Sequence, residues 1–488
     1  MGSLTSDKQY PDASDESLVL THPTAAEKEQ TWTLNHREWG GALDLPAYLK
    51  REPFLASTPL AADDGMVHWI LTTEDASSPK TGQDEQKRSV LASCETIRKR
   101  VLYAPRTGKD GVKEGLGYGI GSVYTYPEFR GKKYAARMLR ELGEVLKTWP
   151  AEEQLRKKRS QIRGQGYDSN GSQATTNGGS GSLNGHAKLQ KADTEKAVCS
   201  ALWSDIGKRF YASKGWPVYP SGHVEFHSSC TSSQLGMSSL LEKAQQPHNT
   251  SLTLTPVNKS NLAQLCREDE AQLRADLVRH ARDNDRTAFA FAPEYEVFRW
   301  HWAREEFIAS HVFPGRSASK VRGMIATVSS APPAHNGTTE DGHSREEAEE
   351  EEAKTRMWAI WTRNFGGADA ASNPEKNTLY ILRLVIDDNN NSTSSSSSSS
   401  SSPGADRKAL QLAFDAIMQS ALDAARPWSC GTVHLWNPTP VVRELIAGSA
   451  IAHKFVDREV DSIPSMMWYG AEEDEPIDWI ANEKYCWC

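Results

Sequence analysis

The run from Ser122 to Leu146 limits the possible folds more than any other part of this 488-residue chain. Ser122-Val-Tyr-Thr-Tyr is β-branched and aromatic, as a strand demands, and Pro127 ends it because proline lacks the donor a ladder needs. Glu128-Phe-Arg130-Gly131-Lys132 then forms a tight basic turn, and a helix is predicted from about Lys133 to Leu146. That helix is amphipathic: Tyr134, Met138 and Leu142 recur every four residues and Ala135, Leu139 and Leu146 widen the stripe. Strand, turn and helix in this order are an anion cradle. The first helical turn presents backbone N–H groups without partners, the helix dipole is positive there, and Arg130, Lys132 and Lys133 add formal charge. A pyrophosphate fits such a place.

The rest of the chain reads as alternating α and β, so the expected fold class is α/β with a mixed sheet. Ser17 to Leu20, Met66 to Leu71, Ser89 to Thr96, Ile120 to Tyr126 and Ala197 to Trp203 have strand patterning, and Thr24 to Trp39 has helical length and composition. Ser204-Asp205 are good N-cap residues for a short helix through Tyr211 that stops at Gly215. Further on, Met357 to Trp361, Thr378 to Asp387 and Thr432 to Trp436 read as strands and Lys408 to Ala425 as a helix. A faint internal echo, Leu18-Val-Leu-Thr with its helix against Leu252-Thr-Leu-Thr with Asn258 to Leu277, points to two related halves.

Hydrophobic residues make up only 38% of the chain, low for a compact domain, because four polar stretches dilute the core-forming ones. These are a tail at 1–16, a Gly/Ser/Asn-rich insertion near 160–195, an acidic one near 330–355 that contains Glu349 to Glu352, and a Ser-rich one near 388–404. The expected organisation is therefore the tail, a first domain over 17–245 and a second over 246–488. The net charge of −8 argues against nucleic acid as a partner, and the acidity belongs largely to the insertions, so an anionic ligand does not conflict with it. No apolar run is long enough to span a membrane, and the N-terminus resembles no targeting signal, so a cytoplasmic location is expected. Seven scattered cysteines without a C-x-x-C pair suggest neither a disulfide framework nor a metal site. Gly115-Leu-Gly-Tyr-Gly-Ile-Gly121 precedes a strand and lacks dinucleotide-binding spacing; it reads as a glycine-rich approach to that strand.

With Arg130 in the first position and Ala135 in the last, the turn resembles the Arg/Gln-x-x-Gly-x-Gly/Ala motif of the GNAT superfamily of acetyl-CoA-dependent N-acetyltransferases. Lys133 departs from it, standing where the family usually has Gly. Leu202 to Trp216 is similar to the family's closing motif, with Tyr211 five residues before the aromatic Trp216 that follows Gly215. Through Pro217 to Phe226, Trp358-Ala-Ile-Trp361-Thr-Arg-Asn-Phe and Leu379-Tyr-Ile-Leu-Arg-Leu-Val-Ile, the chain resembles the fungal lysine N6-acetyltransferases. The resemblance implies a GNAT fold with a second, GNAT-like half. It also implies acetyl-CoA as co-substrate, no metal, and a small-molecule amine, free L-lysine, as partner.

The implied roles follow from the chemistry. Val123, Tyr124 and Thr125 on the strand and Arg130, Gly131, Lys132, Lys133, Tyr134 and Ala135 at the turn would bind acetyl-CoA, with a strand N–H facing the developing oxyanion. Tyr211 would be the catalytic residue that protonates the departing thiolate. An alkyl amine with a pKa of about 10.4 must lose a proton before it attacks, and Glu128, Asp205 and Glu95 remain open as bases, Asp205 reading better as a helix cap. Arg363, Arg383, Trp361 and Trp436 are candidates for holding the amino acid, without spacing that selects among them. A polyamine or protein lysine as acceptor, and a CoA-binding protein without catalysis, are the alternatives.

Overall fold

The computed structural model describes residues 10–73, 88–164, 197–228, 250–330, 353–387, 403–470 and 476–487. Along the chain the strands and helices are β1 (Leu18–Thr21), α1 (Ala25–Trp39), α2 (Leu45–Ala56), β2 (Met66–Thr73), β3 (Ala92–Ala104), β4 (Lys113–Thr125), α3 (Tyr134–Gly164), β5 (Ala197–Ser204) and the single turn α4 (Arg209–Ala212). They continue with β6 (Gly222–His227), β7 (Thr250–Val257), α5 (Leu262–Asn284), β8 (Thr287–Phe291), α6 (Tyr295–Val312), β9 (Gly323–Ser330), β10 (Ala353–Asn364) and β11 (Thr378–Ile386). The last are α7 (Pro403–Ala425), β12 (Thr432–Trp436), α8 (Pro440–Gly448), β13 (His453–Asp457), β14 (Ile463–Trp468) and β15 (Ile477–Trp479). Much of the three expected insertions, over 165–196, 331–352 and 388–402, lies outside the described residues.

Local signals account for the first elements. Thr24 and Glu27 form a reciprocal capping box at the start of α1, and α3 buries Tyr134, Met138, Leu139, Leu142 and Leu146 on the stripe its periodicity predicts. Fully burying one such side chain stabilises by about 1.5–3 kcal/mol. The glycine-rich approach to the expected strand is itself strand: β4 begins at Lys113, and a Cβ at Gly117 would come within 2.6 Å of Val101 and 2.7 Å of Phe291. Residues 10 and 11 of the expected solvated tail pack against the fold. Tyr10 meets the edge of Phe129, and Tyr134 Oη donates to Pro11 O at 2.6 Å, because α3 offers this segment an apolar seat.

Two sheets form the frame. One runs β1-β2-β3-β4-β5-β14, with β8 pairing the far end of β3 and β15 pairing β8; the other runs β13-β6-β12-β11-β10-β9-β7. In each, one central pair is parallel, β4 with β5 and β11 with β12. The echo is real at the level of topology, since β1 and β7 are each an edge strand followed by a long helix. The sheets also exchange strands: β6 sits between β12 and β13 in the second sheet, while β8, β14 and β15 extend the first. Trp203, Phe289, Trp302, Trp358, Ile360, Trp436 and Tyr485 share one buried cluster, so the two sheets are joined through a common core.

Candidate functional site

The parallel strands β4 and β5 pair only as far as Ile120 opposite Leu202, although β4 runs on to Thr125 and β5 to Ser204. Past that point, among the described residues, one edge of β4 has no strand beside it. A bulge deepens the opening: Ser93 pairs with Tyr124 and Glu95 with Gly121, leaving Ser122 and Val123 opposite the single residue Cys94, with Ser122 at φ 50°. A cavity of about 400 Å³ lies at this opening.

Of the expected site residues, Val123 and Tyr211 line this cavity. Tyr124 is buried beside Trp39, and the Thr125 carbonyl accepts from Arg130 Nε at 3.2 Å. Beyond the strand, Arg130, Gly131, Lys132 and Lys133 are exposed, Ala135 is half-buried and Tyr134 is buried in the α3 stripe. Lys133 has φ 65°. It therefore adopts the left-handed conformation for which a glycine is suited, and the turn keeps the shape of the motif despite the side chain. The carbonyl of Lys133 accepts the first helical bond, from Arg137 N at 3.1 Å, which leaves the N–H groups of Tyr134, Ala135 and Ala136 ahead of the ladder. Among the described residues a Cβ at Gly131 would meet nothing within 4 Å, so the turn is open there to an approaching anion. The ion pair of Arg130 with Glu38, at 3.5 Å, is solvent-exposed and weak enough to give way to a phosphate.

Tyr211 stands on α4, a single turn that closes when Trp216 N donates to Tyr211 O at 3.1 Å and Gly215 takes φ 100°. Trp216 is locked from the other side by its Nε1–H to Ser200 Oγ at 3.0 Å. Burial pushes the Tyr211 phenol well above its usual pKa, so it is held protonated as a donor.

The expected bases separate clearly. Glu128 is exposed on a short turn after β4 and does not line the cavity. Asp205 lines the cavity but is not the expected helix cap. Lys208 holds the cap position of α4, and Asp205 instead accepts from Ser462 N at 3.0 Å, because the strand exchange brings that loop alongside. Ser204 likewise fastens a turn, donating to Gly207 O at 2.7 Å. Glu95 faces the cavity and accepts from Ser122 Oγ at 2.7 Å, with His68 Nε2 3.5 Å from its other oxygen. Burial raises its carboxyl pKa, against the hydrogen bond from Ser122 and the charge of Arg51. The proximity of His68 does not amount to an ion pair, since burial holds that imidazole neutral, with its pKa lowered to about 4.

The opposite wall was not foreseen. It comes from α2, which supplies Tyr48, Arg51 and Glu52, from Trp300, His301 and Arg304 on α6, and from Tyr380, Lys484 and Trp487. The only local signal was the dense aromatic run Phe298-Arg-Trp-His-Trp302, which by itself reads as core. The residues expected to hold an amino acid already have partners, although Arg363 does line the cavity. Arg363 pairs with Glu305 and donates to Ala424 O at 3.0 Å, Arg383 pairs with Asp269 and Glu483, and Trp361 is fully buried. Trp436 is buried under Arg458, which lies 3.9 Å over its ring.

Among the described residues one group, His223, Glu225 and His434, lies close enough together to be considered for a metal. The two imidazoles stack at 25°, however, so their in-plane lone pairs run nearly parallel instead of converging on one ion.

A family described as "LYC1 GNAT-like C-terminal domain" matches residues 239–488, just over half of the chain. The chain belongs to this GNAT-like family. Its α/β sheets, each with a parted parallel pair, are a GNAT fold with a second GNAT-like half. A curated relative from Yarrowia lipolytica, "Lysine acetyltransferase", is 24% identical over 303 residues, covering 58% of this chain and 64% of the relative. The chain thus spans less than two thirds of that relative's length. An uncharacterised protein of Saccharomyces cerevisiae, YGR111W, is also 24% identical, over 63% of this chain and 68% of its own. Among solved structures, a GCN5-related N-acetyltransferase from Kribbella flavida aligns over 92% of this chain and 70% of its own, with 11% identity and a TM-score of 0.40. No helix of the GNAT-like chain among the described residues is long and apolar enough to cross a membrane.

Proposed function

We propose that the chain is an acetyl-CoA-dependent N-acetyltransferase that acetylates the side-chain amine of free L-lysine by direct attack in a ternary complex, in the cytoplasm. One observation carries the reading: the open edge of β4 leads into a cavity where a raised-pKa carboxylate, Glu95, and a protonated phenol, Tyr211, face the same space. The pyrophosphate would sit on the N–H groups of Tyr134 to Ala136, with Arg130, Lys132 and Lys133 around it, and the pantetheine arm would run along β4 in place of a neighbouring strand. The thioester would then lie at Val123 to Thr125, where a backbone N–H on the unpaired edge would receive negative charge on its oxygen.

Glu95 takes the proton from the acceptor ammonium. A carboxylate with a raised pKa does this better than an ordinary one, because the gap to an amine of about 10.4 is smaller. Tyr211 returns a proton to the sulfur. Neither step needs a covalent enzyme intermediate, since both substrates are held in one cleft. Free lysine is supported by the name of the Yarrowia relative and by a cavity walled by both halves, a volume suited to a small molecule.

The test mixes purified protein and acetyl-CoA with L-lysine, polyamines and lysine peptides, and follows thiol release and product mass. L-lysine should gain one acetyl group on its side-chain nitrogen. Thiol release only with peptides or polyamines would overturn the choice of acceptor, and acetyl-CoA binding without any release would overturn the catalytic reading.

A further inference from the structure

Two of the three arginines that line the cavity already have counter-charges. Arg51 Nε donates to Glu52 Oε1 at 2.9 Å, and Arg363 is paired with Glu305. Arg304 differs. It points from α6 into the cavity, one turn after His301, and its hydrogen bond is to a neutral group, Asn364 Oδ1 at 2.9 Å. The ring of Trp487 lies 5.6 Å from its guanidinium, and among the described residues no carboxylate pairs with it. Desolvation lowers its pKa to about 10, the direction expected of a cation that has lost water without gaining an anion. Leaving such a charge uncompensated is costly, and a carboxylate in the planar, bidentate geometry a guanidinium offers would remove that cost.

Carboxylates line the side of the parted strands, and on the far wall Lys484 lies over the same Trp487 ring as Arg304. Glu52 lies close enough to feel both Glu95 and Arg304, so acidic groups extend from the parted strands toward a cation on the far wall. A ligand complementary to this order carries an amine at one end and a carboxylate at the other. We infer that Arg304 binds the α-carboxylate of the acceptor and selects an amino acid over a diamine. This rests on the proposed acetyl transfer. It adds a specificity-determining residue from the second half, and it excludes polyamines by placing a second ammonium group against Arg304.

The experiment compares L-lysine with cadaverine, the same amine without the carboxylate, in both turnover and calorimetric binding to the CoA-loaded protein, for wild type and Arg304→Gln. Wild type should prefer L-lysine, and Arg304→Gln should lower kcat/KM for L-lysine by about 10- to 100-fold, the range of a lost charge-assisted hydrogen bond, while cadaverine is unchanged or improved. Retained cadaverine turnover shows that the variant is folded, and Arg304→Lys should recover part of the selectivity. Equal use of both amines by wild type, or an equal loss for both in Arg304→Gln, would overturn the inference. If wild type transfers no acetyl group to any amine but binds L-lysine in an Arg304-dependent way, the transfer reading falls and the carboxylate site stands. Failure of wild type to bind L-lysine in preference to cadaverine removes the site itself.

Discussion

The two parted strand pairs of this molecule are built alike and finished differently. In the first half β4 and β5 last pair at Ile120 and Leu202, followed by Trp203; in the second, β11 and β12 last pair at Ile381 and Leu435, followed by Trp436. Each has a bulge just past that point. Three residues beyond the last pair stand Val123 and Leu384. The edge at Val123 opens on the cavity, whereas Leu384 N donates to Glu483 Oε2 at 2.9 Å. The chain's own C-terminal segment thus fills the second opening with a carboxylate. The second half also lacks the rest of the equipment: the sequence from Asp387 to Ser402 contains no Lys or Arg, and that from Asn437 to His453 contains no Tyr. A backbone N–H that takes a carboxylate in one half is the same feature proposed to receive an oxyanion in the other. The second half has instead become a wall, lending Arg304, Tyr380 and Trp487 to the first.

This contrast can be broken most sharply at Tyr211. Tyr211→Phe should lower turnover by about 10²–10⁴-fold with little change in acetyl-CoA affinity; an unaltered rate would mean that the aromatic closing turn is as silent in the first half as in the second. Next in size, Glu483→Ala removes one member of a buried cluster with Arg383 and Asp269 and should cost about 3 kcal/mol, measured as a fall in denaturation midpoint. Calorimetry should still count one acetyl-CoA per chain in that variant. A second binding event would show that closure alone silences the second half.

Arg130→Ala should weaken acetyl-CoA binding by about 10- to 100-fold while leaving stability unchanged, because its exposed pairing with Glu38 contributes little. The pH profile tests Glu95. A base must be deprotonated, so kcat/KM should fall as pH drops through a midpoint above the usual carboxylate range, and Glu95→Gln should remove that limb along with most activity. The smallest effect is at Lys133. Replacing a left-handed lysine with glycine should stabilise by roughly 1 kcal/mol, strain relief outweighing the added freedom of the unfolded chain, with cofactor affinity changed only by the lost charge.

Much of the first half is legible in its sequence. The β4 turn, the α3 stripe and the Tyr211 turn depend on interactions within a few residues, where periodicity, capping and turn chemistry act. Where local reasoning failed, a distant segment had intervened. Asp205 looked like a cap because the Ser462 loop, some 250 residues later, is invisible from its neighbourhood. Arg363 and Arg383 looked available because their buried partners Glu305 and Asp269 lie on helices far along the chain.

What the sequence determined by itself is the strand-turn-helix of residues 122–146 and the chemistry its basic turn and open edge invite, since hydrophobic period and left-handed turns are properties of short stretches. Only the tertiary structure decided which parted edge stays open, which of the scattered carboxylates meets Tyr211, and that Arg304 faces them from the other half. Those outcomes depend on exchanged strands and a shared core, and no local pattern encodes the partner that fills or spares a given edge.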